Sequence, residues 1–234
     1  MSEENIDKVL REAAERSRLL DPALLERVKA ELRPSMAPVR PLPAAWVLAT
    51  GLIVICAAVG IVGALFLGPL GVRKMNPTQI AAIFPTLGLL MGLVAAYYAG
   101  AMVPGSRIAA PRWTLPAIVC VSLIVLFAML FHDYRTERFV TAGLVCLKAG
   151  LLHALPAALA SWWLLRRGFA VDSAAAGLAQ GTLAGLAGVL MLEIHCVNFE
   201  APHVMVWHVA VVPLSAAAGA AFFRARSVRR RPAL

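Results

Sequence analysis

Acidic side chains are almost missing from most of this sequence. Eight of its 13 Asp and Glu residues lie within the first 31 residues, and the other 203 residues hold five. The chain is also 60% hydrophobic and only 15% charged. A water-soluble domain needs charged side chains over its whole surface, whereas a chain surrounded by lipid tails does not. The composition therefore excludes an ordinary soluble domain and predicts an all-α, polytopic membrane protein.

The sequence also lacks motifs for catalysis, for signal-peptide cleavage and for nucleic-acid binding. The sequence has no Gly-rich phosphate loop, no HExxH and no GxSxG, so we expect no enzyme activity. The charged N-terminus lacks a short apolar segment before a small-residue cleavage site, so we expect no cleavable signal peptide. The net charge of +9 comes mainly from Arg at the ends of apolar runs. Anionic headgroups favour that placement, which predicts contact with membrane lipid and no direct binding of nucleic acid.

Six apolar runs are each long enough to cross about 30 Å of hydrocarbon as an α-helix. They lie at roughly 45–69, 79–103, 113–131, 146–165, 173–196 and 204–223, within a predicted transmembrane domain at 45–223. With the N-terminus inside, the inner flanks hold eleven Lys and Arg residues. The outer flanks hold five, which are Arg73, Lys74, Arg135, Arg138 and Lys148. Because cytoplasmic loops concentrate positive charge, both termini are predicted to be cytoplasmic.

Three short segments flank this domain. Residues 1–32 are predicted to form a cytoplasmic helical arm, because Asp21 and Pro22 make a helix start and apolar residues follow four apart. The arm either lies on the membrane or becomes ordered when it binds a partner. Residues 33–44 are a Pro-rich, extended linker, and residues 224–234 are a basic cytoplasmic tail.

Small residues dominate the fifth apolar run. Gly177, Gly181 and Gly185 are spaced four apart, and Gly188 follows one turn later. Glycine removes side-chain bulk, so a second helix can approach this face closely. The pattern favours a helix-packing face over a glycine-lined pore, because no acidic residue lies mid-membrane to guide an ion.

Cysteine is scarce, and two of the four residues lie at the predicted outer face. Cys146 opens the fourth run and Cys196 closes the fifth, whereas Cys56 and Cys120 lie inside runs and suit small packing residues. In an oxidising compartment a thiol pair can form a disulfide. A disulfide that closes the loop between residues 146 and 196 would stabilise the folded protein by roughly 4 kcal/mol in the loop-entropy model. That is enough to bias a helical bundle between two arrangements. A short inner loop joins the two runs, so their outer ends are expected to be close, but the sequence leaves the distance between the sulfurs open.

Histidine is equally scarce, and all five residues fall in the predicted outer half. A candidate metal site consists of His195, Cys196, His203 and His208. Thiolates and imidazoles suit Zn²⁺ or another thiophilic metal. Against this, the spacing matches no established metal motif, and His203 and His208 would lie about 140° apart on an α-helix. The alternative is interfacial His bonded to headgroups or loops, with no cofactor. Glu193, inside the fifth run, is expected to face a His or Arg.

Several sequence features occur in one order along the chain. They are the lead-in APVRPLP at 37–43, the segment LLHALPAALASWWLLRRG after Cys146, the glycine run at 176–188, and IHC at 194–196 followed by Trp207. In this order they resemble the NrsF-like integral-membrane anti-sigma factors, which are negative regulators of extracytoplasmic-function sigma factors. Six spans and a short cytoplasmic N-terminus agree with the resemblance, which covers most of the chain beyond the arm.

The resemblance implies a partner and a mechanism. In that family an extracytoplasmic-function sigma factor is held at the bacterial inner membrane, away from polymerase. Two cysteines outside the cytoplasm respond to oxidant or heavy-metal stress and cause its release. Applied to this chain, the resemblance implies that Cys146 and Cys196 are the sensing thiols and that they face the periplasm. The longer arm, His203 and His208 depart from the family pattern and leave metal sensing open.

Two other functions remain open from the sequence. The first is a small transporter or metal-handling protein that uses the outer His and Cys residues as an entry site. Apart from Gln180 and a few Ser or Thr, almost no polar residue lies deep in the runs, which counts against transport. The second is a scaffold or assembly protein with no sensing role.

Overall fold

The computed structural model describes residues 7–8, 11–12, 22–33, 43–102, 113–166, 168, 170 and 172–229. These residues belong to two compact units, Met1–Pro41 and Leu42–Leu234.

The first unit contains the helix α1 (Pro22–Leu32). It begins at the predicted proline, whose fixed φ suits a helix and whose missing N–H is not needed in the first turn. Lys29 and Glu26 form an exposed ion pair one turn apart, at 2.8 Å. The apolar side chains Leu24, Leu25 and Val28 are exposed. Most of the linker predicted at 33–44 lies outside the described residues, as does most of the arm before α1.

The second unit is built from long apolar helices. In chain order they are α2 (Ala45–Leu67), α3 (Pro77–Met102), α4 (Thr114–Leu130), α5 (Phe139–Leu165), α6 (Ser173–His195) and a final span at Ala201–Arg226. All except α4 are long and apolar enough to cross a membrane. Helix α4 has 17 residues, about 26 Å, which is short of a bilayer core of roughly 30 Å. The all-helical architecture is confirmed for the described residues, with five candidate membrane spans; the sixth span and the topology stay predictions.

Helix α5 begins earlier than the sequence analysis predicted. The apolar run was predicted to start at Cys146, but the helix starts at Phe139, so Cys146 lies two turns inside it. Arg138 precedes the helix in the left-handed conformation (φ 58°), and its carbonyl accepts a hydrogen bond from the Thr141 hydroxyl at 3.2 Å. Lys148 is therefore an exposed residue of the helix and not part of a flanking loop.

The final span also begins before its predicted start at residue 204, and it is not uniform. A short α-helical turn, α7 (Ala201–His203), leads into a π-helical segment at Val204–His208 and then into α8 (Val209–Arg229). Pro202 lies in the first turn, where its missing N–H breaks no helical hydrogen bond.

Helix α6 is the centre of the second unit, because nearly all of its side chains are buried. Asp172 caps its N-terminus by accepting hydrogen bonds from the backbone N–H groups of Ala174 and Ala175, at 3.0 and 3.1 Å. An apolar helix without a polar face must be covered on all sides by other helices. The residues of α6 are mostly small, so its neighbours can approach closely.

The predicted glycine packing face of α6 is confirmed, and α8 is the helix packed against it. A Cβ placed on Gly181 would meet the carbonyl oxygen of Ser215, and one on Gly185 would lie 2.8 Å from Val212 Cα. Because these neighbours are backbone atoms, the contact leaves no room for a methyl group. The two helix backbones therefore pack in direct contact.

Three loops, at 68–76, 131–138 and 196–200, lie together at one end of the second unit, called the loop end below. The Val72 N–H donates to the Ile194 carbonyl at 3.0 Å, which joins the first loop to the end of α6. The Ala201 N–H donates to the Asp133 carbonyl at 2.6 Å, which joins the second loop to the final span. Consequently α2, α4 and α6 end where α3, α5 and the final span begin.

Candidate functional site

Two cysteine side chains meet beside the loop end. Cys146 lies on α5, and Cys196 directly follows the last residue of α6. Their Sγ atoms are 3.5 Å apart, and both residues are free thiols. The two helices run in opposite directions, so the start of α5 lies beside the end of α6. This geometry gives the separation that the sequence left open.

The backbone around Cys196 is tightly held. Its N–H donates to the Leu192 carbonyl at 2.7 Å, which ends α6. A Cβ on Gly71 would collide with the Cys196 carbonyl oxygen, so only glycine allows the first loop to close over this turn. The Cys196 side chain is 6% exposed. Its hydrogen bond with Cys146, together with burial, raises the pKa of the Cys196 thiol, which favours the protonated form.

A buried carboxylate and imidazole pair lies next to the thiols. His208 Nδ1 is 2.6 Å from Glu193 Oε1, and both side chains are almost completely buried. The sequence-based prediction that Glu193 faces a His or Arg is therefore confirmed. With Nδ1 directed at the carboxylate, the second ring nitrogen, Nε2, has no hydrogen-bond partner. The pair fixes the orientation of the His208 ring.

The π-helical segment decides where His203 lies. The sequence was expected to form an α-helix here, which would place His203 and His208 about 140° apart. That expectation is wrong, because the segment is π-helical. In a π-helix the hydrogen bonds run between residues five apart, so such residues lie on one face. The segment Val204–His208 has this geometry, and the two imidazole centroids are 5.3 Å apart. His203 Nε2 is also 3.7 Å from Cys196 Sγ.

Four side chains therefore converge at one point. Cys146, Cys196, His203 and His208 each offer one ligand atom, and these four atoms all lie within 4.8 Å of one another. We call them the Cys2His2 cluster. Three of its members were in the metal site considered from the sequence. His195, the fourth residue considered there, lies elsewhere: its Nδ1 is 2.8 Å from the Gly68 carbonyl oxygen.

Sequence reasoning treated Cys146 only as one half of a thiol pair and did not join it to the imidazoles. Its position at the predicted outer face was a usable signal, because His203 and His208 were placed at that same face. No local sequence pattern, however, predicts the π-helical segment that turns both imidazole rings toward the thiols.

Two other residues of these types, His153 and Cys56, have structural contacts. His153 Nδ1 is 2.8 Å from the Ala149 carbonyl, and its ring fills the space that a side chain on Gly63 would need. The Cys56 thiol is buried and lies 3.4 Å from the Ser161 hydroxyl, as suits a packing residue.

Trp207 lies in the π-helical segment. Its indole packs against Gly143, where a Cβ would collide with the ring, and lies 5.4 Å from the ring of Phe139. Trp207 thus holds the start of α5, and with it Cys146, against the π-helical segment.

These features define a class: a helical protein with several membrane-length spans and a buried thiol and imidazole cluster at one end. The family model NrsF, described as negative regulator of sigma F, matches residues 32–227, and the chain belongs to this family. Neither the curated proteins nor the solved structures that were compared gave a match.

Proposed function

We propose that this protein is a non-enzymatic, membrane-bound anti-sigma factor. It holds an extracytoplasmic-function sigma factor at the membrane and releases it when oxidant or a thiophilic metal modifies Cys146 and Cys196. The family match over residues 32–227 carries the regulatory role. The distance of 3.5 Å between the two sulfurs supports the sensing role, because a disulfide needs two thiols that can meet.

The proposed orientation places the loop end in the periplasm and both termini in the cytoplasm. At the opposite end of the second unit, the Arg226 guanidinium lies 4.9 Å from the Trp162 ring centroid, and Arg166 lies 5.2 Å from that of Trp163. Arg beside Trp is typical of a membrane interface, and excess Arg is typical of the cytoplasmic side. The sigma factor would then contact the arm and this Arg-rich end.

In the oxidative branch, disulfide formation balances with a peroxide as the two-electron oxidant. The two thiols lose two protons and two electrons, the S–S bond forms, and the peroxide O–O bond is cleaved to give water. The sulfurs must approach from 3.5 Å to about 2.05 Å. We propose that this approach shifts α5 against the end of α6.

Close helix contacts offer a route from the thiols to the other end. A Cβ on Gly188 of α6 would meet the carbonyl oxygen of Gly150 of α5, one turn beyond Cys146. The glycine face of α6 then packs on α8, which continues to Arg229 at the proposed cytoplasmic end. Because such packed backbones do not deform continuously, a shift at the thiols would move α8 as a unit.

A cysteine substitution series tests this function. Full-length protein is expressed with its sigma factor in the native host, and a sigma-dependent reporter is measured before and after peroxide treatment. Replacing Cys146→Ser and Cys196→Ser together should leave the reporter at its uninduced level. The matched control, Cys56→Ser with Cys120→Ser, should respond like the wild type. An unchanged response in the first variant would show that these thiols are not the switch, and failure of the wild type to co-purify a sigma factor would reject the regulatory role.

A transporter is less well supported. It needs polar side chains available to a moving solute, yet the Gln180 amide in α6 donates to the Ala158 carbonyl at 2.7 Å. The Thr182 hydroxyl likewise donates to the Leu178 carbonyl at 2.7 Å. Both groups are engaged by helix backbone.

A further inference from the structure

We infer that the Cys2His2 cluster is a binding site for one zinc-class divalent cation, Zn²⁺ or Cd²⁺. The ligands are the two thiolates and one nitrogen from each imidazole. This deepens the proposed function, on which its regulatory meaning rests, but the binding itself requires no sigma factor.

The donor set and its dimensions fit a tetrahedral ion. Zinc lies about 2.3 Å from thiolate sulfur and about 2.0–2.1 Å from imidazole nitrogen. A tetrahedron with those bonds separates its ligand atoms by roughly 3.3–3.8 Å. Here the two sulfurs are 3.5 Å apart, and His203 Nε2 is 3.7 Å from Cys196 Sγ. All four ligand atoms lie within 4.8 Å, so small side-chain rotations complete the tetrahedron.

Glu193 supplies the support that a zinc-binding imidazole requires. Histidine ligands commonly donate their second N–H to a carboxylate, which fixes the ring and makes the other nitrogen a better donor. His208 shows this arrangement, with Nδ1 2.6 Å from Glu193 Oε1. Its Nε2 is buried and has no hydrogen-bond partner. An unpaired buried nitrogen is costly, and a bound cation would satisfy it.

The π-helical segment is a second, independent observation. Such segments are rare inside α-helices and are often found at functional sites. Here Val204–His208 brings two imidazoles to one face, directly over the thiols. A metal site needs both rings on one side, and the π-helical segment supplies that arrangement.

Charge balance also suits a cation here. Two thiols lose their protons as the ion binds, so two negative thiolates cancel the two positive charges of the metal. The ion and its four ligand atoms then carry no net charge. This matters because Cys196 and His208 are almost unexposed, and a net charge at a buried position is costly. The same sulfurs cannot hold the ion and form a disulfide, so oxidation would eject the metal and bound metal would protect the thiols.

Cobalt substitution tests the site on the full-length protein. The chain is purified in detergent with a phosphine reductant, stripped with chelator and titrated with Co²⁺. We expect one Co²⁺ per chain, intense d–d bands typical of tetrahedral geometry, and a thiolate-to-cobalt charge-transfer band. Zn²⁺ should displace Co²⁺ and abolish both signals. A wild-type protein that gives no charge-transfer band under these conditions overturns the inference, without any variant having to fold.

Variants then identify the ligands. Cys146→Ser should remove about half of the charge-transfer intensity, because one of the two thiolates is lost. His203→Ala or His208→Ala should shift the d–d bands and weaken binding. Glu193→Gln, which retains the hydrogen bond without the charge, should weaken binding about 10–100-fold. His195→Ala is the matched control, because His195 borders the cluster in sequence but bonds to the Gly68 carbonyl, and it should bind Co²⁺ like the wild type. Loss of binding in His195→Ala together with wild-type binding in His203→Ala would overturn the assignment.

The two proposals fail separately. Cobalt binding without any effect of Cys146→Ser and Cys196→Ser on the reporter leaves the metal site standing and rejects the thiol switch. A normal reporter response with no cobalt signal rejects the metal site and leaves the switch.

Discussion

At the scale of single residues, the buried pair of Glu193 and His208 fixes the orientation of the His208 ring in the site. Both side chains are almost unexposed, and the pair lies at the end of α6, where the packed helices exclude water. A buried carboxylate in such a place needs a partner, which is why the sequence alone predicted one. The partner comes from the final span, 15 residues further along the chain, so this pair also joins α6 to the π-helical segment.

Removing one member of this pair should be much worse than removing both. Glu193→Ala leaves His208 Nδ1 buried without a partner, and breaking a buried pair in this way typically lowers the free energy of unfolding by about 3–5 kcal/mol. The double variant Glu193→Leu with His208→Leu should recover most of that loss, because two apolar side chains need no partner. Denaturant unfolding in detergent, followed by circular dichroism, measures both. Equal destabilisation by the single and the double variant would contradict the explanation.

At the scale of elements, the contact between α6 and α8 depends on the absence of side chains. A Cβ on Gly181 would collide with the Ser215 carbonyl and lie 2.7 Å from Ala216 Cα, and neither backbone atom can rotate away. The helices can avoid the collision only by separating. Separation removes van der Waals contact along the whole glycine face.

Gly181→Ala should therefore destabilise the protein by about 1–3 kcal/mol through overpacking. Gly88→Ala is the matched control, because nothing lies within 4 Å of the added methyl group and Gly88 is exposed on α3. That change should be neutral or stabilising by up to about 1 kcal/mol, since alanine favours a helix over glycine. Thermal unfolding of the two variants in the same detergent provides the comparison. The packing explanation fails if both variants melt alike.

At the scale of the whole molecule, the arrangement of charge predicts how the protein lies in its membrane. Mixed charges, including the ion pair between Arg135 and Asp133 at 3.0 Å, lie at the loop end. Arginines stacked on tryptophans lie at the other. Since Arg is retained on the cytoplasmic side, the loop end should face outward.

Cysteine labelling tests this orientation directly. In a background in which all four native cysteines are replaced by serine, Glu137→Cys at the loop end should react with an impermeant maleimide on intact cells. Ala225→Cys on α8 should react only after the membrane is permeabilised. Both positions are exposed, so accessibility within the protein does not limit either reaction. The opposite labelling pattern would invert the proposed topology.

The sequence by itself determined the helical membrane class, the glycine packing face, the need of Glu193 for a partner, and the family resemblance later borne out by the match over residues 32–227. These follow from composition, periodicity and the order of motifs, which are local properties. Helix ends were less accurate, because hydropathy does not show where an apolar helix continues past Cys146 to Phe139.

Only the tertiary structure decided which side chains share the site. The distance between Cys146 and Cys196 depends on how closely α5 packs on α6, and glycine contacts between helices set that distance. His203 joins the cluster through a π-helical segment, and His195 leaves it because its ring bonds to Gly68. Residues far apart in sequence meet when the helices pack. The packing energy depends on contacts between different segments, so no single stretch of sequence predicts it.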